Sequence, residues 1–89
     1  MLQREVTIRN KLGLHARAAS KLVSCATTFA ADVWLLRGER EINGKSIMGV
    51  LTLAAGKGTV LGIRTDGDDE QQAMLELIQL FDNRFDEDE

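Results

Sequence analysis

Leu2, Val6 and Ile8 alternate with Gln3, Glu5 and Thr7, a period of two that predicts a half-buried first strand. Asn10-Lys11-Leu12-Gly13 then breaks the alternation, and the period changes to that of a helix. From about Ala16 to Thr27, Ala19, Leu22, Val23 and Ala26 fall on one side, with Arg17, Lys21 and Ser24 away from it, which predicts an amphipathic helix starting beside His15. Asp32 to Arg37 reads as a strand, Gly38-Glu39 as a turn and Arg40 to Asn43 as a short return strand. Asn43-Gly44 turns the chain again, and Ser46 stands where an N-cap belongs. Ile47, Met48, Val50, Leu51, Leu53 and Ala54 follow as a short helix, apolar almost all round, that Gly56 and Gly58 are expected to end. Thr59 to Thr65 is a strand closed by Asp66-Gly67. Asp68 is the expected cap of a last helix, with Gln71 at its third position and Ala73, Met74, Leu77, Ile78 and Phe81 on its buried side.

The predicted order is β-α-β-β-α-β-α. A four-stranded antiparallel or mixed sheet with the three helices on one face, an α+β open-faced sandwich, is the simplest arrangement that buries these stripes. The 89 residues suit one domain, and no repeat, low-complexity segment or Pro/Ser-rich linker divides them. Leu, Ile, Val and Phe supply 25 residues, above the roughly one fifth below which disorder sets in. The charged N-terminal stretch and the short uncharged segments lead us to expect neither a signal peptide nor a membrane span. The single cysteine, Cys25, permits no disulfide within the chain and suits a reducing compartment, by default the cytoplasm.

Charge sharpens the picture. The net charge is −3, which argues against general nucleic-acid binding. Residues 1–50 nevertheless carry eight Lys/Arg against four Asp/Glu, and residues 51–89 three against ten. The plain reading is a solvated acidic helix and tail with scattered basic residues; the sharper one is a basic docking face for an acidic partner.

Few residues can carry chemistry. One histidine rules out a His-rich metal site, and Cys25 would lie about 15 Å along the helix from His15, too far for a thiol–imidazole pair. Gly44, Gly49, Gly56 and Gly58 match no phosphate loop and suit turns and helix ends. Trp34, in a strand, reads as sheet packing. His15 on position alone is an N-cap or a surface residue, but its neighbours give it more. A helix N-terminus carries partial positive charge and free N–H groups, which disfavour imidazolium and stabilise an anion attached to the ring. Arg17 adds a guanidinium able to bind phosphoryl oxygens.

Gly13-Leu14-His15-Ala16-Arg17-Ala18-Ala19 resembles the active-site signature of the histidine-containing phosphocarrier (HPr) family of the bacterial phosphoenolpyruvate-dependent phosphotransferase system. Asn43-Gly44-Lys45-Ser46-Ile47-Met48-Gly49-Val50 resembles the family's second signature, around its regulatory serine, and the likeness runs end to end. The resemblance implies that His15 takes a phosphoryl group on Nδ1 from phospho-enzyme I and passes it to enzyme IIA domains, with Arg17 steadying the group and no cofactor or metal. It implies a monomer that is a consumed and regenerated carrier rather than an enzyme. Ser46, otherwise an ordinary cap, becomes a site that a dedicated HPr kinase/phosphorylase modifies in some bacteria. Ile47, Met48 and Leu51 become an exposed apolar docking patch, where the plain reading makes them core. The family usually has proline at the position of Ala18; alanine, the best intrinsic helix former, should keep the helix. Two rivals stand beside this reading: a regulatory branch of the family such as the nitrogen-related NPr, and a non-catalytic interaction module in which His15 is incidental.

Overall fold

The computed structural model describes residues 1–88. Strands β1 (Leu2–Thr7), β2 (Asp32–Arg37), β3 (Arg40–Asn43) and β4 (Val60–Asp66) and helices α1 (Ala16–Thr27), α2 (Ile47–Thr52) and α3 (Glu70–Asp82) follow in the expected order. The sheet runs β1-β4-β2-β3 with every neighbouring pair antiparallel, and the helices cover one face, giving the α+β open-faced sandwich. Alternation sets what points inward: Val6, Val33, Leu35, Leu61, Ile63 and Thr65 are buried. They meet Ala18, Ala19, Leu22, Val23 and Ala26 of α1, Val50 of α2, and Ala73, Met74, Leu77 and Phe81 of α3. Each large aliphatic or aromatic side chain so covered contributes roughly 1.5–3 kcal/mol. On the other face Trp34 packs as a sheet residue, opposite Arg64 in the register, with the Arg64 guanidinium 5.9 Å from the ring centroid.

Three boundaries differ from the sequence pattern. Strand β4 begins at Val60 instead of Thr59, whose N–H instead closes a turn onto the carbonyl of Gly56. Helix α2 ends at Thr52, before either glycine. Its final carbonyls are taken by arginines from the neighbouring strands: Arg40 donates to Thr52 O at 2.6 Å and Arg37 to Leu53 O at 2.6 Å, and Ala54 then turns left-handed at φ 50°. The N-cap position of helix α3 is Asp69 and not Asp68, and its side chain makes no capping bond. The Asp69 carboxylate accepts from the backbone of Ala30 and Ala31 at 2.9 and 2.8 Å, so it ties α3 to the start of β2. Glu70 Oε1 takes the N–H of Gly67 in place of the expected partnership with Gln71.

The chain does not stop at α3. A 3₁₀ turn at Arg84–Asp86 has φ values of 55°, 53° and 61°, three left-handed residues in succession, each costing about 1–2 kcal/mol for an L-amino acid. Phe85 offsets that cost by burying its ring completely against Phe81, while Lys21 Nζ donates to Phe85 O at 2.7 Å. The expectation of a solvated acidic tail therefore fails at Phe85 and Glu87, which fold back toward the start of α1, and holds for the exposed Asp86.

Candidate functional site

His15 is the N-cap of α1, with extended backbone (φ −74°, ψ 175°), and its carbonyl accepts the first helical bond from Ala19 at 2.8 Å. The side chain makes no capping bond, which leaves the imidazole for other work. The loop before it is fixed by Gly13, whose φ of +66° suits glycine. A Cβ there would lie 2.5 Å from the carbonyl oxygen of Ala55. The same carbonyl accepts from Leu14 N at 2.9 Å, so the segment leading to His15 is seated on the segment that follows α2. Gly13 and Leu14 are buried here, while Lys11 and Leu12 are exposed. Ala18 is fully buried and α1 keeps its predicted start, as expected for alanine in place of proline.

The ring has a partner that sequence reasoning missed. His15 Nε2 lies 2.5 Å from Glu87 Oε2, and the two side chains are 23% and 14% exposed. The other oxygen, Glu87 Oε1, accepts from Asn10 Nδ2 at 3.2 Å. Asn10 is itself fully buried and donates to Gly13 O at 2.7 Å. Burial pushes the Glu87 carboxyl upward; the hydrogen bonds from His15 and Asn10, with the charges of His15 and Arg17, outweigh it and hold the group below the usual carboxylate range. One signal for this contact was present in the sequence: Phe85 follows Phe81 by four residues and extends the buried stripe of α3 past the helix end.

Arg17 is exposed, at the edge of an open depression of about 620 Å³ that also includes Lys11, Leu12, Lys21 and the acidic Asp86, Glu87 and Asp88. Of the eight basic residues in the N-terminal half, Lys11, Arg17 and Lys21 share this depression with the chain's own acidic end, while Arg37, Arg40 and Lys45 donate to backbone carbonyls elsewhere. An anion reaching the ring meets Arg17 and the start of α1, where unpaired N–H groups and the helix dipole favour negative charge.

Ser46 is the N-cap of α2, and its Oγ accepts from Gly49 N at 3.1 Å. Gly49 permits this closeness, because a Cβ at that position would come within 3.3 Å of the same oxygen. Ile47 and Met48 are 42% and 73% exposed, whereas Leu51 is half-buried and packs on the core with Val50 and Leu53 beneath it. Leu12, read from the sequence only as part of a turn, is 62% exposed. Cys25 is half-buried on α1, where burial and the charge of Glu76 raise its thiol above the ordinary range. Among the described residues no group of His, Cys, Asp and Glu could hold a metal ion, and no helix is long and apolar enough to cross a membrane.

An open-faced sandwich that presents one imidazole at a helix start, with an arginine two residues on, is the form of a histidine phosphocarrier domain. The family model described as the PTS HPr component phosphorylation site matches residues 2–83. The phosphocarrier protein HPr of Xylella fastidiosa is 54% identical over 88 residues, covering 99% of each chain. The crystal structure of HPr-C-His from Thermoanaerobacter tengcongensis superposes with a TM-score of 0.97 at 36% identity, covering 100% of both chains. The chain belongs to the HPr family of phosphocarrier proteins of the phosphotransferase system, as its two signatures implied. It is also similar to the phosphocarrier protein NPr of Shewanella violacea, at 42% identity over 97% of this chain and 94% of that one, and to an HPr dimer from T. tengcongensis, at 37% identity, 98% and 100% coverage and a TM-score of 0.79.

Proposed function

We propose that His15 receives a phosphoryl group on Nδ1 from phospho-enzyme I and surrenders it to enzyme IIA domains, in the cytoplasm and as a monomer. The observation that carries this reading is the disposition of the ring. Its Nε2 is engaged by Glu87, which leaves Nδ1 as the nucleophile, on a residue that caps the positive end of a twelve-residue helix. Arg17 binds the phosphoryl oxygens as charge moves between donor and acceptor. Ile47 and Met48, with Leu51 at their edge, form the apolar docking patch, and the polarizable, flexible Met48 adapts to more than one partner. Ser46 is the regulatory position, where an HPr kinase/phosphorylase would add charge at the start of α2. The chain is a stoichiometric carrier and needs no cofactor.

Incubation with enzyme I, Mg²⁺ and phosphoenolpyruvate tests the reading. Wild-type protein should gain one acid-labile phosphoryl group and His15→Ala none; undiminished labelling of the variant would remove His15 from the reaction. The likeness to NPr supports a second reading, in which the phosphorylation state signals and no sugar is transported. Rates measured with sugar-specific and nitrogen-related enzyme I and IIA pairs separate the two.

A further inference from the structure

We propose that Glu87 is a positioning residue for the chemistry of His15: its carboxylate accepts the Nε2–H proton, keeps the lone pair on Nδ1, and faces the positive charge the ring gains on phosphorylation. The inference rests on the phosphocarrier reading and adds to it a residue from the far end of the chain, 72 positions away.

Four features distinguish this contact from a chance surface ion pair, which would be worth little. Both partners are largely covered, at 23% and 14% exposure. Both carboxylate oxygens are used, Oε2 by His15 and Oε1 by the fully buried Asn10. The same Asn10 amide holds the carbonyl of Gly13, two residues before the histidine, so one side chain sets the carboxylate and the loop that carries the ring. Finally, the tail is placed by a turn of three left-handed residues pinned through buried Phe85 and the Lys21 bond. Strain of that kind persists only where surrounding contacts fix it.

The chemistry follows from which nitrogen holds the proton. A neutral imidazole has one N–H and one lone pair, and a partner that can only accept fixes the N–H on its own side. A carboxylate on Nε2 therefore directs the lone pair to Nδ1. In transfer, that pair forms the N–P bond while the donor's bond to phosphorus breaks and its electrons leave with the donor. Nε2 keeps its proton throughout, and the charge delocalised onto the ring is met by Glu87. When phosphorus passes to the next acceptor, the N–P electron pair returns to Nδ1. Arg17, Lys11 and Lys21 on the basic side and Asp86, Glu87 and Asp88 on the acidic side line the adjoining depression; of these carboxylates, Glu87 is the one on the ring.

Nitrogen-15 spectra of the full-length, unphosphorylated protein, recorded where the ring is neutral, read the tautomer directly. Wild type should show the Nε2–H form with a slowly exchanging ring proton. Glu87→Gln should retain the form more weakly, and Glu87→Ala should give mixed tautomers and a fast-exchanging proton, with Asp88→Asn as an unchanged control. At saturating phospho-enzyme I, Glu87→Ala should accept phosphoryl groups roughly tenfold more slowly, the loss of one charge-assisted hydrogen bond, with the larger change in kcat and the smaller in KM. Unaltered spectra in Glu87→Ala overturn the proposal, as does faster transfer, which would make the tail a screen over the ring. If wild type takes no phosphoryl group at all, the phosphocarrier reading fails, while the spectra still decide what Glu87 does to the ring.

Discussion

The rings of Phe81 and Phe85 meet edge to face, with centroids 4.9 Å apart and planes at 67°. Phe81 ends the buried stripe of α3, and Phe85 lies in the turn that carries Glu87 to His15. Removing a buried phenylalanine ordinarily costs about 3–5 kcal/mol. Here the freed tail would also relax its left-handed turn, which returns part of the loss. Phe85→Ala should therefore destabilise by about 2–3 kcal/mol in denaturant titrations and release the tail, seen as the loss of the His15–Glu87 contact in ring spectra. Full stability with an intact contact would show that the tail is held by something other than this ring.

Gly13→Ala should be costlier than its size suggests. The added methyl would lie 2.5 Å from Ala55 O and 2.7 Å from Gly56 Cα, at a φ of +66°. Gly38→Ala meets the same kind of backbone, φ +59°, with nothing within 4 Å. The second change should cost about 1 kcal/mol, the left-handed penalty alone, and the first at least about twice that, because two backbone segments must separate. Equal losses in paired urea titrations would mean that the loop before His15 is not seated on Ala55.

Acid should weaken the fold through Asp69. Its carboxyl is held below the ordinary value by backbone bonds from Ala30 first and Ala31 next. A depressed folded-state value means that the stabilisation is present above the unfolded value near 3.9 and is lost as pH falls through the folded one. Glu87 acts in the same direction. The melting temperature should fall on acidification below about pH 4, and Asp69→Asn should flatten part of that slope while lowering the plateau. An unchanged slope would show that the bonds to Ala30 and Ala31 carry no linkage.

Ser46 tests the balance between cap and switch. Ser46→Ala removes the bond to Gly49 and should cost about 1 kcal/mol. Ser46→Asp keeps a capping oxygen and adds negative charge at the helix start, so stability should be equal or slightly higher. Docking to enzyme I should weaken all the same, most at low salt, because the charge sits beside Lys45, Ile47 and Met48 and raises the cost of drying that patch. A large drop in melting temperature for Ser46→Asp, or undiminished transfer at low ionic strength, would leave Ser46 a structural cap only.

Local chemistry made much of this molecule legible from the sequence. The period of small and aliphatic residues after His15 set the bounds of α1, and Ser46 could be read as a cap because its partner is three residues away. Distance along the chain made the rest opaque. Asp68 and Asp69 are chemically alike, and Asp69 becomes the cap residue with its carboxylate on amides 38 and 39 positions away. The end of α2 is set by Arg37 and Arg40, which lie before that helix in the sequence, and not by the glycines after it. His15 and Arg17 stood out because their neighbours in sequence are also their neighbours in space. Asn10 and Glu87 did not, because an asparagine in a turn and a glutamate in an acidic run look ordinary until the fold brings them to the ring.

One spectrum decides whether phosphorus is carried on Nδ1 of His15. Protein labelled with nitrogen-15 in its histidine ring and phosphorylated by enzyme I and phosphoenolpyruvate should show phosphorus coupling at Nδ1, with Nε2 protonated. Coupling at Nε2, or phosphorus on any other residue, would contradict it.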